Sequence, residues 1–548
     1  MGELSHIFRN LLAVAGNLAS GRTRDNWGPT PSGVKPPNNT AIPRGLRLAT
    51  VKTAQAIIAL CAAISTALTP VAATAADTLD LNLPSLGTAG SSALSPLEEQ
   101  KLGAQLMTQV RADPTYLSDP ELSEYLNRLG YTLVSRANTH TYNFFFFPIR
   151  DETLNAFALP GGFIAVHTGT IIAARNESEL AGVMGHEIGH VTQRHIARMI
   201  EGQKSNLAIT LGSVLLAILA ARAGGNSGGH AAAAIAMGSQ AAMIQSQLNY
   251  SQDAEREADR VGLQTLYAAG FDPKGMEGFF SRLQSSNRFY ESAAPAYLST
   301  HPLTVERMAD MDNRTRNLPT RMHQDSDEFR LMQVRARVLQ ATSHDALMKL
   351  QKVLQDERKD ATGKNACALE YGLSVVASRL KDFPTALRHA EASTACGMTS
   401  ASLTRNLLRA RFEATTSKST REKILADARS AVDRFPLSPM MAENYVDLLY
   451  ELDRHEELIR FLRNGTALPD TDPDYHAILA RSYEKLGKKS LQYQHTGEMY
   501  ALLGADEAAV YQYSLAQKAN DGDFYTMSVI DARLRELREA VAQAKKDR

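Results

Sequence analysis

Three cysteines in 548 residues cannot build a multi-disulfide scaffold. A surplus of either charge is also missing, since basic and acidic residues number 59 each. Without a basic face there is no electrostatic footprint for nucleic acid, and that class of partner is excluded. No apolar run qualifies as a transmembrane helix: Ala54–Leu68 is short and soon ended by Pro70, and Asn206–Ala221 is marginal. The single tryptophan, Trp27, lies outside every segment with the pattern of a packed element. What remains is a chain too long for one core, with ordinary hydrophobic content, for which two or three domains are expected.

The first 76 residues read as an address. Residues 1–50 carry Gly, Pro, Asn and Arg without an apolar period and cannot bury a core. Lys52, the apolar run and the small residues Ala72-Ala73-Thr74-Ala75-Ala76 then form a secretory signal, with cleavage expected after Ala75 or Ala76. Residues 1–50 are read as an over-extended gene start, with Val51 as the initiator, or else as an unusually long n-region of the signal. Export removes Cys61 and leaves Cys367 and Cys396, which are expected to pair in an oxidising compartment.

Chemistry concentrates at His186-Glu187-Ile188-Gly189-His190. Histidines four apart leave one face of a helix and can grip one metal ion; Glu187 lies on the adjoining flank, where it can take a proton from water. The helix is expected to start near Asn176, with Glu179 as its capping-box partner. His195, five residues beyond His190, points elsewhere and receives no ligand role. A catalytic zinc needs a third protein ligand, and Glu255 supplies it from an acidic helix in which Asp259 lies one turn on. Asp259 can fix a ligand histidine's tautomer by accepting its N–H, whereas Glu257 points to the opposite side.

Other elements flank this pair. Leu97, Leu102, Leu106 and Val110 give a helix over Ser95–Val110, and Asp119-Pro120 caps a short one ending at Gly130. Phe144–Ile149 is a buried strand. Asn155–Val166 reads as two extended pieces around Pro160-Gly161-Gly162; it is either an ordinary hairpin or an edge strand holding extended peptide through Asn155, Ala156, Phe157 and Ala158. The apolar insert 206–243, with its glycine run, suits a buried or interfacial hairpin that covers the cleft or touches membrane.

In combination, His186-Glu187-x-x-His190, Glu255-x-x-Ala258-Asp259, the strand N-A-F-A-L-P-G-G from Asn155, and His301-Pro302 with Arg307 resemble the gluzincin metallopeptidases of the HtpX and CAAX-prenyl-protease group over about residues 95–315. The signal and the helical C-terminal half resemble that family's periplasmic branch. The resemblance implies a zinc endopeptidase with one Zn2+ per chain, held by His186, His190 and Glu255, with Glu187 as general base. His301 and Arg307 are implied as oxyanion stabilisers, or His301 as the occupant of the open zinc position. Implied substrates are unfolded or misassembled outer-membrane proteins, and the outer-membrane β-barrel assembly machinery is an implied partner. The place is the periplasm of a Gram-negative bacterium, in contact with the outer membrane.

From about Asp325 the pattern is almost wholly helical, with partial matches to tetratricopeptide repeats at Tyr371-Gly372 with Ala386 and Ala390, at Asn444–Phe461, and at Leu479-Ala480 with Tyr483 and Gly487. The expected fold is an α+β zincin metalloprotease domain, mostly helical with a small sheet, over residues 77–320, followed by an all-α tetratricopeptide-like solenoid over 321–548. The rival reading is a chaperone or adaptor that promotes outer-membrane protein assembly with a latent or non-catalytic metal site. Glu187 argues for the enzyme, since a structural site has no use for it.

Overall fold

The computed structural model describes residues 94–137, 141–202, 252–289, 297, 301–316, 318–319 and 321–546. The expected signal, the gene-start extension and the 206–243 insert lie outside them. The described chain forms two compact units, one of residues up to 117 with 127–325, the other of Ser118–Leu126 with 326 onward.

In the first unit, α1 (Pro96–Ala112) starts in a full capping box, Ser95 accepting from Glu98 N while Glu98 accepts from Ser95 N. The next helix, α2 (Pro120–Val134), runs straight through Gly130, where the sequence suggested an end. A β-carbon there would lie 2.2 Å from the Phe146 ring, so this glycine serves close packing, not chain termination. Three strands form a sheet in the order β1 (Phe145–Ile149), β3 (Phe163–His167), β2 (Ala156–Leu159). β1 pairs parallel and β2 antiparallel to β3. The β2–β3 turn needs positive φ at Gly161 and Gly162, 80° and 96°, which glycine adopts without steric cost. Leu106, Met107, Phe147, Ile149, Leu159 and Ala165 close the core between α1 and the sheet.

After the short α3 (Thr168–Ala173) comes α4 (Glu177–Thr192), capped by Asn176, which accepts from Glu179 N at 2.9 Å. The expected reciprocal bond from Glu179 falls one residue earlier, on Arg175 N at 2.7 Å, and the rest of that carboxylate binds Arg282. α4 ends at Thr192, and Arg194, with a φ of 55°, turns the chain into α5 (His195–Gly202). A helix at 252–268, α6, is followed by α7 (Lys274–Phe289) and α8 (Val305–Arg316).

α4 and α6 touch backbone to backbone. A β-carbon on Gly189 would stand 2.8 Å from the Ala258 carbonyl oxygen, and one on Gly262 would stand 2.8 Å from His186 N. Only small residues permit that approach, and it lays the carboxylates of α6 directly against the histidines of α4.

The second unit, outside Ser118–Leu126, is all helix: α9 (Asp327–Gln340), α10 (His344–Asp360), α11 (Gly363–Arg379), α12 (Phe383–Ser393), α13 (Ala401–Glu413) and α14 (Lys418–Arg434). It continues with α15 (Pro439–Glu451), α16 (His455–Arg463), α17 (Pro473–Lys485), α18 (Lys489–Leu502), α19 (Asp506–Ala519) and α20 (Phe524–Lys546). Ser326, Ser343, Ser400, Ser417 and Ser438 each cap a helix by accepting from the backbone three residues on. Consecutive helices pack side by side around Leu408, Phe412, Met441, Tyr445, Leu448 and Leu479, each worth roughly 1.5–3 kcal/mol in burial. Cys367 and Cys396 are disulfide-bonded across the α11–α12 hairpin.

Ser118–Leu126 is fastened by charge. Asp119 accepts two bonds from Arg335 at 2.7 Å each; Glu121 lies 2.8 Å from both Arg335 and Arg405 and also accepts from Tyr371. All five are buried. Burial works to raise the Asp119 carboxyl, but Arg335 overcomes this and holds it below the usual range.

Candidate metal centre

Four side chains converge among the described residues. His186 and His190 from α4, Glu255 from α6 and His301 before α8 place one ligand atom each within 4.8 Å of all the others. His186 Nε2 is 3.0 Å from His190 Nε2 and 3.2 Å from Glu255; His190 Nε2 is also 3.2 Å from Glu255. His301 Nδ1 is 2.9 Å from Glu255 and 3.4 Å from His186 Nε2. His186, Glu255 and His301 are buried, with His190 half-buried.

A second layer holds these groups. Asp259 Oδ1 lies 2.9 Å from His186 Nδ1, so His186 turns Nε2 toward the cluster. Arg307, wholly buried, donates to both Asp259 oxygens at 2.7 and 2.8 Å, reaches Glu255 at 2.8 Å and donates to the Pro302 carbonyl at 2.7 Å. The guanidinium implied as an oxyanion stabiliser thus spends its bonds within the protein. Tyr297 stacks on His301, ring centroids 4.6 Å apart, and its backbone N–H donates to Leu154 O beside β2.

Charges follow from this packing. Burial works to raise the Glu255 carboxyl, yet His301, Arg307 and His190 hold it well below the ordinary range. Burial pushes His190 down to about 4. Burial opposes protonation of His186 as well, but bonds to Asp259 and Glu255 outweigh it and raise that imidazole to about 10. A metal ion taken up there displaces a proton.

Glu187 stands apart. It is wholly buried, and neither carboxylate oxygen accepts a hydrogen bond from a described residue. His301 Nε2 is its nearest ionic neighbour, at 3.6 Å. A buried carboxylate so placed is costly unless a proton donor visits it. Two imidazoles, one carboxylate and a bare buried glutamate fit a catalytic zinc ion and not a closed structural one.

β2 is one of the two edge strands of the described sheet, with Phe157 and Ala158 half-buried. Asn155 is tied through its backbone to the Thr170 hydroxyl at 2.8 and 2.7 Å, while its buried side-chain carbonyl oxygen has no partner among the described residues.

Sequence reasoning passed over two groups. His195 Nδ1 is 2.9 Å from His190 Nδ1, and its Nε2 is 3.1 Å from Glu257. The five-residue spacing misleads because α4 stops at Thr192 and the left-handed turn at Arg194 brings His195 back onto His190. Tyr297 carries no sequence signal.

Residues 120–315 match peptidase family M48. Over 86% of its length the chain is 31% identical to the β-barrel assembly-enhancing protease of Escherichia coli K12, covering 93% of that protein. It belongs to peptidase family M48. The relative of the same name in Yersinia pestis is 34% identical over 56% of this chain and 61% of its own length. Metalloprotease LoiP of Escherichia coli is 29% identical over 36% of this chain and 72% of its own. The chain is accordingly a zinc metalloprotease, and the His186–His190–Glu255–His301 group can take one ion. No described helix of the protease is long and apolar enough to cross a membrane.

Proposed function

We propose that this protease is a periplasmic zinc endopeptidase that removes misassembled outer-membrane proteins, guided by a repeat region that docks clients or the β-barrel assembly machinery. The observation that carries the catalytic part is the bare, buried Glu187 beside the His186–His190–Glu255 ligands. Zinc, when bound, makes water a nucleophile at neutral pH and polarises the scissile carbonyl. Glu187 takes the proton from the attacking water and passes it to the leaving amine. Asp259 and Arg307 orient His186 and Glu255. Ala156, Phe157 and Ala158, on the edge strand β2, hold substrate in extended form by main-chain pairing, with the side chain of Asn155 beside them at the start of the strand.

One ring nitrogen of His301 lies within 4.8 Å of the ligand atoms of the other three, and His301 would act as a gate: as a further holder of the ion it would keep the resting enzyme shut, and swung away it would stabilise the oxyanion. The names of the relatives support the choice of outer-membrane clients. Support for repeats comes from Asp453 and Gly487, 34 positions apart, each in the left-handed region and each followed by the same helix-closing bond, Arg454 N to Leu449 O and Lys488 N to Tyr483 O.

The test is Glu187→Gln. Zinc content should stay near one per chain while cleavage of an unfolded outer-membrane protein is lost. Equal cleavage by the variant would refute the catalytic reading, and unchanged client assembly without cleavage would move the function to the chaperone class.

A further inference from the structure

The geometry points to His195 and Glu257 as a relay that fixes the zinc-facing imidazole of His190, a positioning role distinct from metal ligation. His190 presents Nε2 to the cluster, within 3.2 Å of Glu255 and 3.0 Å of His186 Nε2. For that nitrogen to offer a lone pair, the proton of the neutral ring must sit on Nδ1. Nδ1 lies 2.9 Å from His195 Nδ1, so the latter accepts. The proton of His195 is then on Nε2, 3.1 Å from the Glu257 carboxylate, which accepts in turn. One tautomer of each histidine satisfies both contacts of the relay, and the order is fixed: His190 donates to His195, and His195 donates to Glu257.

His186 reaches a carboxylate directly, through Asp259 at 2.9 Å. His190 reaches one through a second imidazole. The two ligands of one helix are therefore oriented from opposite sides by different devices. The relay is built, not incidental. His195 is buried, and the Arg194 turn that presents it is pinned by bonds from Arg194 to Glu99 at 2.7 Å and to the Leu94 carbonyl at 2.5 Å. Arg198 holds the far end, donating to Glu257 at 2.5 Å.

This inference rests on His190 being a zinc ligand, and the experiment separates the two. Zinc affinity of the full chain is measured by competition with a chromophoric chelator for the wild type, His190→Ala, His195→Leu, His195→Gln and Glu257→Gln, with the melting temperature of each zinc-free protein recorded alongside. Expected is a roughly 10- to 100-fold loss of affinity in His195→Leu. His195→Gln should recover much of this, because its amide oxygen accepts from His190 while its N–H donates to Glu257. Glu257→Gln should weaken binding less, and combining it with His195→Leu should add nothing further, as expected of groups acting in series. Wild-type affinity in His195→Leu, or additive losses in the double variant, would overturn the relay. Should His190→Ala itself keep zinc, the ligand assignment fails instead. If His195→Leu melts early without zinc, Glu257→Gln, altered at a partly exposed side chain, decides the matter by its own affinity.

Discussion

Gly189 and Ala258 meet so closely that a β-carbon on the glycine would stand 2.8 Å from the alanine carbonyl oxygen. Gly189→Ala has to push α4 and α6 apart, a cost of about 1–3 kcal/mol for overpacking. The more telling effect is on the site, because the ligand atoms ride on those two helices. Zinc affinity should fall at least tenfold while far-ultraviolet circular dichroism stays near wild type; an unchanged zinc titration would dissociate the helix contact from the site.

Arg307→Ala should be more damaging than its distance from the reacting atoms suggests. The change leaves Asp259 and Glu255 buried without their cation, a loss of about 3–5 kcal/mol for a broken buried pair. Arg307→Lys keeps the charge but not the two-pronged bond to Asp259, and should fall between. Denaturant midpoints of the zinc-free proteins rank the three. A lysine variant as stable as wild type would show that charge alone suffices.

The metal site was half legible. Histidines four apart declare themselves through the helical period, and the acidic helix following them offers Glu255, which the fold brings to the same cluster. His195 was hidden because no residue type announces the left-handed turn at Arg194. Gly130 read as a stop because its true reason, the Phe146 ring, lies across the fold. The fastening of Asp119 to Arg335 joins positions 216 apart, a relation that no local window carries.

Stability of the helical unit should fall as pH rises from about 5 to 8. Burial, reinforced by Asp447 and only partly offset by Arg405, pushes the Glu443 carboxyl up to about 8. The folded state therefore holds a proton that the unfolded chain, near 4.5, has released. Stability from this proton is complete below the unfolded value and is lost as pH climbs through the folded one. Glu443→Gln should flatten that slope and stabilise the protein at pH 8 by up to roughly 4 kcal/mol, at about 1.4 kcal/mol for each unit between 4.5 and about 8. Thermal melts across the window check this; parallel slopes in both proteins would contradict it.

Reduction should loosen the same unit. The Cys367–Cys396 bond closes a 29-residue separation, for which loop entropy gives about 3–4 kcal/mol. Cys367→Ser or added dithiothreitol should lower the melting temperature of the helical unit without moving zinc affinity.

Because Asp119 and Glu121 pair with buried Arg335 and Arg405, the protein cannot be divided by one cut. A fragment beginning at Ser326 carries two cations into its interior and leaves their carboxylates behind. Dissection must keep residues 118–126 with the C-terminal helices or supply them as a separate peptide. In that sense the helical unit is a receptor whose first ligand is nine residues of its own chain.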